Sequence, residues 1–363
     1  IRVDHSLYAD SRWYTASGIY RDVWIIAAPE IHLAQWGTGW YATSLTDRQA
    51  TIAVDMEVQK HIATREKLEL SATLYDAVGK QVAQRRTRVS DGKEGITKET
   101  LTLKVTKPHR WNLNDPYLYT LKAELLSNGK RIDGCETKVG LRTLDFDPNK
   151  GFALNGNWMK VKGVCLHHDA GVLGAVVPPE VWERRLNNLK EIGVNAIRMS
   201  HNPQAPVVYD LCDQLGLLVM DEASDEWEFP KRKWIKGWNK GEPGFDGSFD
   251  FFEEWIEQDV TDMVRRDRNH PSIFLWSIGN EVDYPNDPYS HPILDGAQIN
   301  QPMFGGYKPD APDAMRIGVI AKRLAARVRA VDTSRPVTGA LAGVVMSNET
   351  EYPDAVDLVG YAM

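Results

Sequence analysis

Ile273-Phe274-Leu275-Trp276-Ser277-Ile278-Gly279-Asn280-Glu281 is an apolar run of strand length that ends in an amide and a carboxylate. A buried strand carrying Asn and Glu at its C-terminal tip matches the way a parallel α/β barrel displays its reactive groups. Glu281 is therefore a candidate acid/base residue, and a carboxyl in that role works best where an apolar surround raises its pKa. Trp276 is close by in sequence.

Working outward from this run, the chain beyond about residue 147 alternates strands and helices. Apolar strand-like runs lie at 159–166, 194–199, 217–220, 273–281, 336–341 and 356–361. Helices are expected from Pro178-Pro179-Glu180, with Trp182, Leu186, Leu189 and Ile192 on one face, and over about 205–215, closed by Gly216. Two longer ones are expected over 249–266, with Phe252, Trp255, Ile256, Val260, Met263 and Val264 inward, and over 313–331. Repeated strand–helix units imply a parallel sheet with right-handed crossovers. No G-x-G-x-x-G turn follows the first strand, and no P-loop occurs. Polar clusters stand instead at four successive strand ends: His167-His168-Asp169, Arg198 to Asn202, Asp221-Glu222 and Asn280-Glu281. That distribution favours a TIM (β/α)8 barrel, incomplete at strands 1–6.

Before residue 147 the pattern is all-β. Residues 51–58 and 68–74 alternate apolar and polar side chains, and turn signals such as Asp76-Ala77-Val78-Gly79 and Ser127-Asn128-Gly129 separate the runs. The expected organisation is a β-like remnant over 1–27, a β-sandwich over 28–146 and the barrel over 147–363.

Bulk properties exclude several classes. The net charge of −7 gives no electrostatic footprint for nucleic acid, and no apolar run approaches a membrane span of about 18 residues. The three cysteines, Cys135, Cys165 and Cys212, fit neither a disulfide framework nor a zinc pattern and are expected as buried thiols. The chain starts at Ile1 without an initiator Met or a signal peptide, so a start inside a domain is expected and no compartment is readable.

Each polar cluster has a plain alternative. His167 and His168 resemble a metal pair, yet adjacent strand residues point to opposite faces, so a polar substrate contact by one of them is favoured. Arg198 is expected to hold a carboxylate, or else to form a structural ion pair. Asp221-Glu222 supply a carboxylate or form a buried hydrogen-bond hub. Asn348-Glu349-Thr350 matches a glycosylation acceptor, a tripeptide too common to weigh.

Taken in order, Gly163 to Asp169, Asn195 to Pro203, Val219 to Glu222, Arg266 to Ser272 and Trp276 to Glu281 resemble glycoside hydrolase family 2, most closely its bacterial β-galactosidases. Gly18-Ile19-Tyr20-Arg21-Asp22-Val23 resembles the end of that family's sugar-binding jelly-roll. Pro116-Tyr117-Leu118-Tyr119 and Gly140-Leu141-Arg142-Thr143 resemble landmarks of its immunoglobulin-like domain. The resemblance implies a retaining hydrolase of terminal β-D-galactosides with Glu281 as proton donor, Asn280 on the sugar 2-hydroxyl, His201 and His167 against the sugar, and Arg198 orienting the nucleophile. It implies no required cofactor. Some members bind magnesium or sodium through acid and His ligands at this place; the run here is Ser224-Asp225-Glu226-Trp227, without a His, so the residues present give that site no support. The partners implied are a carbohydrate substrate, a β-galactoside, and neither nucleic acid nor membrane; a homo-oligomer is compatible. A bacterial cytoplasm or periplasm would suit.

The second glutamate of a retaining pair, about 5–5.5 Å from the first, is expected on a seventh strand. No residue here is assigned to it, and the chain alone is expected to be inactive. Within the family β-glucuronidase is the nearest rival, and other family exo-glycosidases such as mannosidase and glucosaminidase follow. Outside it the rivals are a metal-dependent barrel hydrolase built on His167, His168 and His201, and a carbohydrate-binding module indifferent to Glu281.

Overall fold

The computed structural model describes residues 18–234, 236, 241–245, 247–283, 289–295 and 306–362. Residues 1–17 of the expected jelly-roll remnant lie outside these. Residues 18–27 carry no strand, although the sequence reads as β-like there. Tyr20 and Arg21 instead lie against the barrel's loops, where Arg21 Nη1 donates to the Pro203 carbonyl (2.9 Å) and the Tyr20 ring lies 5.6 Å from that of His168.

Two antiparallel sheets follow. β1 (Ile31–Leu45), β2 (Gln49–Lys60) and β5 (Gly95–Thr106) form one. The other contains β3 (Leu68–Tyr75), β4 (Gln81–Arg88), β6 (Tyr119–Ser127) and β7 (Lys130–Val139), in the order β4-β3-β6-β7. The period-2 pattern of β2 turns Ile52, Val54, Met56 and Val58, with Leu101 of the neighbouring β5, into a common core with Leu70, Leu74 and Leu121 of the facing sheet. The β6–β7 hairpin turns through Asn128 (φ 50°) and Gly129 (φ 80°), a two-residue turn with both φ positive that Asn-Gly adopts readily.

A three-stranded meander, β8 (Leu144–Asp147), β9 (Gly151–Leu154) and β10 (Asn157–Met159), runs across the expected boundary at 146/147. Its Phe152 and Leu154 pack with Ala196, Leu218, Phe274 and Leu275 from the early parts of the barrel strands, so the meander floors the barrel at the end opposite the strand tips.

The barrel sheet is parallel and six-stranded, in the order β11 (Gly163–Leu166), β12 (Ala196–Met199), β13 (Leu218–Glu222), β16 (Ile273–Asn280), β17 (Val337–Leu341) and β18 (Leu358–Tyr361). A short hairpin, β14 (Lys233–Trp234) with β15 (Pro243–Gly244), sits in the loop after β13. Helices α1 (Pro179–Glu191), α2 (Pro206–Leu215), α3 (Phe252–Asp267) and α4 (Met315–Val331) cover the sheet, and α5 (Val344–Asn348) and α6 (Tyr352–Ala355) follow β17. All eight residues of β16 are buried, which is why its sequence reads as one apolar run without alternation. Gly216 ends α2 at φ 70°, and a Cβ there would lie 2.5 Å from the Leu113 carbonyl oxygen.

Four side chains expected to be buried are not. Ile192 lies past the end of α1 and is exposed. Trp255 flanks the buried stripe of α3 and stands half out of it. Cys135 and Cys165 are exposed, Cys165 on the edge strand β11, and only Cys212 is buried.

The run Arg266 to Ser272 joins sandwich to barrel. Asn269 accepts from Trp40 N–H (3.2 Å) and donates to the Thr38 carbonyl (2.9 Å), and Arg265 pairs with Glu57 (2.6 Å). Asp213 is the hinge of this joint. Its oxygens take His270 Nδ1 (2.6 Å) and Ser272 N–H (2.9 Å), and its carbonyl takes the Trp111 indole N–H (2.8 Å). Burial opposes a charge on His270, but the Asp213 carboxylate, with Asp267 and Asp210 nearby, carries its pKa from 6.5 up to about 9. Glu136 and Lys138 of β7 border the same cleft. A pKa raised by folding contributes stability that is complete below about pH 6.5 and is lost as pH rises through about 9. The thermal midpoint should therefore fall across that window, by the equivalent of about 3 kcal/mol at most. His270→Gln should lower it at pH 6 and flatten the slope; an unchanged slope in the variant would remove His270 as its source.

Candidate active site

The C-terminal tips of β11, β12, β13 and β16 converge. β11 runs out into His167, β12 into Ser200 and His201, β13 ends at Glu222, and β16 ends at Asn280, followed by Glu281. Parallel pairing at Cys165–Arg198 and Trp276–Asp221 sets these tips at similar heights.

Glu222 is the centre. It is fully buried, and its Oε2 accepts from Arg198 Nη2 (2.7 Å), Arg198 Nε (3.0 Å) and Ser277 Oγ (2.6 Å). Its Oε1 lies 2.6 Å from His201 Nδ1. A carboxylate only accepts, so Nδ1 of His201 carries the proton and the tautomer follows. Arg198 Nη2 also donates to Asn280 Oδ1 (2.8 Å), tying β12 to β16 across β13.

A second layer lies under Asn280. Its Nδ2 donates to Asp225 Oδ1 (2.8 Å), and its carbonyl accepts from the Lys231 ammonium (2.6 Å), which also reaches Asp225 Oδ1 at 3.2 Å. Lys231 has no exposed surface, so its charge depends on those oxygens. Glu226 continues the layer, accepting from Lys231 N–H (3.0 Å) and from Lys233 Nζ (2.9 Å).

Glu281 stands where the chain leaves β16. Its φ is 45°, in the left-handed region that residues other than glycine seldom enter, and its N–H donates to the Ala340 carbonyl (2.7 Å). Two residues on, buried Asp283 accepts from the N–H groups of Ala342 and Gly343, both at 2.7 Å. The corner is thus fixed to the end of β17. Among the described residues the half-buried Glu281 side chain makes no hydrogen bond or ion pair. Trp276 is not its apolar neighbour; the indole donates to Asp332 (2.9 Å) and lies under Arg335.

The structure brings Asn280, Arg198 and His201 into one network and sets the His167 ring edge-on to His201, 5.3 Å away. His168 turns aside to Trp182, 5.4 Å between ring centres, so the three histidines do not gather. The carboxylate held by Arg198 is Glu222. Asp221 is a hub rather than a reagent. It accepts from Tyr209 (2.6 Å), and burial with the nearby Asp267 charge pushes its pKa well above the carboxylate range. Lys231 and Asp225 were not singled out from sequence. Lys231 reads as part of a solvated basic run, whereas Ser277, a hydroxyl inside an apolar strand, was a usable signal. Among the described residues, Arg198 and Lys231 supply positive charge to these oxygens. Among the described residues, the one cluster with metal-ligand spacing is Asp210, Asp213 and His270, at the sandwich joint.

A family model described as the TIM barrel domain of glycosyl hydrolases family 2 matches residues 148–352, and a second one, of glycosyl hydrolases family 2, matches residues 38–142. A β-galactosidase of Bacteroides ovatus is 37% identical over 99% of this chain and 42% of its own length. A β-glucuronidase of Bacteroides fragilis is 31% identical over 77% of this chain and 39% of its own. A solved family 2 structure from Bacteroides cellulosilyticus superposes with a TM-score of 0.78 at 31% identity, covering 96% of this chain and 42% of that one. The chain thus spans less than half the length of these relatives. With both models matching in the family's order, and the strand-tip residues in place, the chain belongs to glycosyl hydrolase family 2.

Proposed function

We propose that these residues form the acid/base half of a retaining glycosidase acting on terminal β-D-galactosides. The observation that carries this is the pairing of a carboxyl without a described partner, Glu281, with a fully bonded frame of Asn280, Arg198, Glu222 and His201 beside it. In this reading Glu281 protonates the leaving oxygen and then takes the proton of the attacking water. Asn280 uses one amide N–H on Asp225 and has a second for a sugar hydroxyl. His201, held by Glu222 through Nδ1–H, is the histidine placed against the sugar. Glu222 and Asp221 are buried and bonded, and neither is assigned as nucleophile. The 363 residues by themselves are then expected to bind sugar without completing turnover.

A galactoside is favoured over a glucuronide because a substrate carboxylate needs a cation. Arg198, Lys231 and Lys233, the cations of the strand-tip network, are each paired with a protein carboxylate. The Bacteroides ovatus relative is a β-galactosidase, which agrees.

The test is a panel of chromogenic β-galactoside, β-glucuronide and β-mannoside, run on the intact polypeptide containing this chain and on these residues alone. The intact protein should prefer the galactoside, and Glu281→Gln should lower kcat/KM by roughly 10²- to 10⁴-fold. Preference for the glucuronide would refute the choice of sugar. Turnover by the chain alone that is lost in Glu281→Gln would refute the expectation of binding without turnover. Separately, Lys231→Met should strand the Asn280 carbonyl and the Asp225 carboxylate. The expected loss is about 3–5 kcal/mol of stability, read as a lower urea midpoint; a midpoint matching the parent would show that the ammonium is dispensable.

A further inference from the structure

The peptide unit that joins Asn280 to Glu281 is held from both sides. Its carbonyl accepts from the Lys231 ammonium at 2.6 Å, and its N–H donates to the Ala340 carbonyl at 2.7 Å. The second bond belongs to the ladder between β16 and β17, where Asn280 lies in register with Ala340. The first does not belong to a ladder. β13 ends at Glu222, in register with Ser277, and the Asn280 carbonyl lies beyond that pairing. Lys231, brought back by the loop after β13, caps the carbonyl with a charged donor.

Lys231 is fully buried, and Asp225, 3.2 Å away, offsets its charge. A buried ammonium is a costly loop anchor, since a neutral donor would satisfy a carbonyl. What it adds is a short, charge-assisted bond at the peptide whose nitrogen begins Glu281. Bonds on opposite edges fix the direction of that peptide plane, whereas one alone would let it tip. The plane carries the N–Cα bond of Glu281, about which φ is held at 45°.

Building on the glycosidase reading, we infer that Lys231 is a positioning residue for the acid/base carboxyl: by pinning the peptide between Asn280 and Glu281, it sets the direction in which the Glu281 side chain leaves the strand. With no exposed surface it meets no substrate and acts only through the backbone.

Leaving groups separate this role from that of a plain loop anchor. A dinitrophenolate departs without a proton, whereas phenol departs readily only if protonated in the transition state. A misdirected acid therefore penalises phenyl β-galactoside and spares dinitrophenyl β-galactoside, while partial unfolding or a displaced Asn280 lowers both together.

The experiment compares kcat/KM for the two galactosides on the intact polypeptide containing this chain and on its Lys231→Met, Lys231→Gln and Glu281→Gln variants, both substrates being assayed on the same preparation. Lys231→Met should lose roughly 10²-fold more on the phenyl galactoside than on the dinitrophenyl one. Lys231→Gln, which keeps a neutral donor, should show the same selectivity to a smaller degree, and it carries the test if the methionine variant does not fold. Equal losses on both substrates, or no loss on either, would overturn this inference alone, provided that Glu281→Gln still shows the selective pattern. Its absence from Glu281→Gln as well would overturn the glycosidase reading.

Discussion

The ion pair between Arg198 and Glu222 is the constraint on which the candidate site rests. Two charges out of water attract strongly but lose hydration, and the balance is favourable only if every remaining lone pair finds a donor. Here Ser277 of β16, and His201 with the Nε and Nη2 of Arg198 from β12 and its exit, fill that need from the two strands flanking β13. The pair also positions, at one remove, the groups proposed to face the sugar. It fixes the tautomer of His201 and aims Asn280. Removing either partner would leave an uncompensated charge at the barrel mouth, so the site is an all-or-nothing unit.

The same logic operates at the opposite end. Asp213 collects a histidine, a backbone N–H and an indole where the sandwich meets the barrel floor. Arg335, almost fully buried, donates to the carbonyls of Arg268, His270 and Ile273 and pairs with Asp332. The loop preceding β16 is thus fixed at its start by buried charge, and the strand reaches its tip at a set height. Positioning at the mouth begins with bonding at the floor.

The strand tips could be read directly from sequence because a buried parallel strand produces a continuous apolar run, and the first polar residue after it marks the mouth. Glu281, Asn280, Arg198 and His201 all follow that rule. Lys231 does not, since a lysine in a basic loop has no local signature of burial, and only the fold reveals that it lies beneath Asn280. Trp255 shows the opposite failure. Its helical spacing matches the core stripe, but a stripe has an edge, and spacing alone does not say on which side of the edge a residue falls. The β-like reading of residues 18–27 failed because short alternation does not specify a pairing partner.

Glu281 occupies left-handed backbone, where glycine or asparagine would sit at lower cost by roughly 1 kcal/mol. The residue that folding alone favours at this corner is therefore not the glutamate proposed as the acid/base. A lineage selected only for persistence of the folded state would drift away from glutamate at this corner. Glutamate there is a choice that folding alone does not make, in keeping with the chemical role proposed for it.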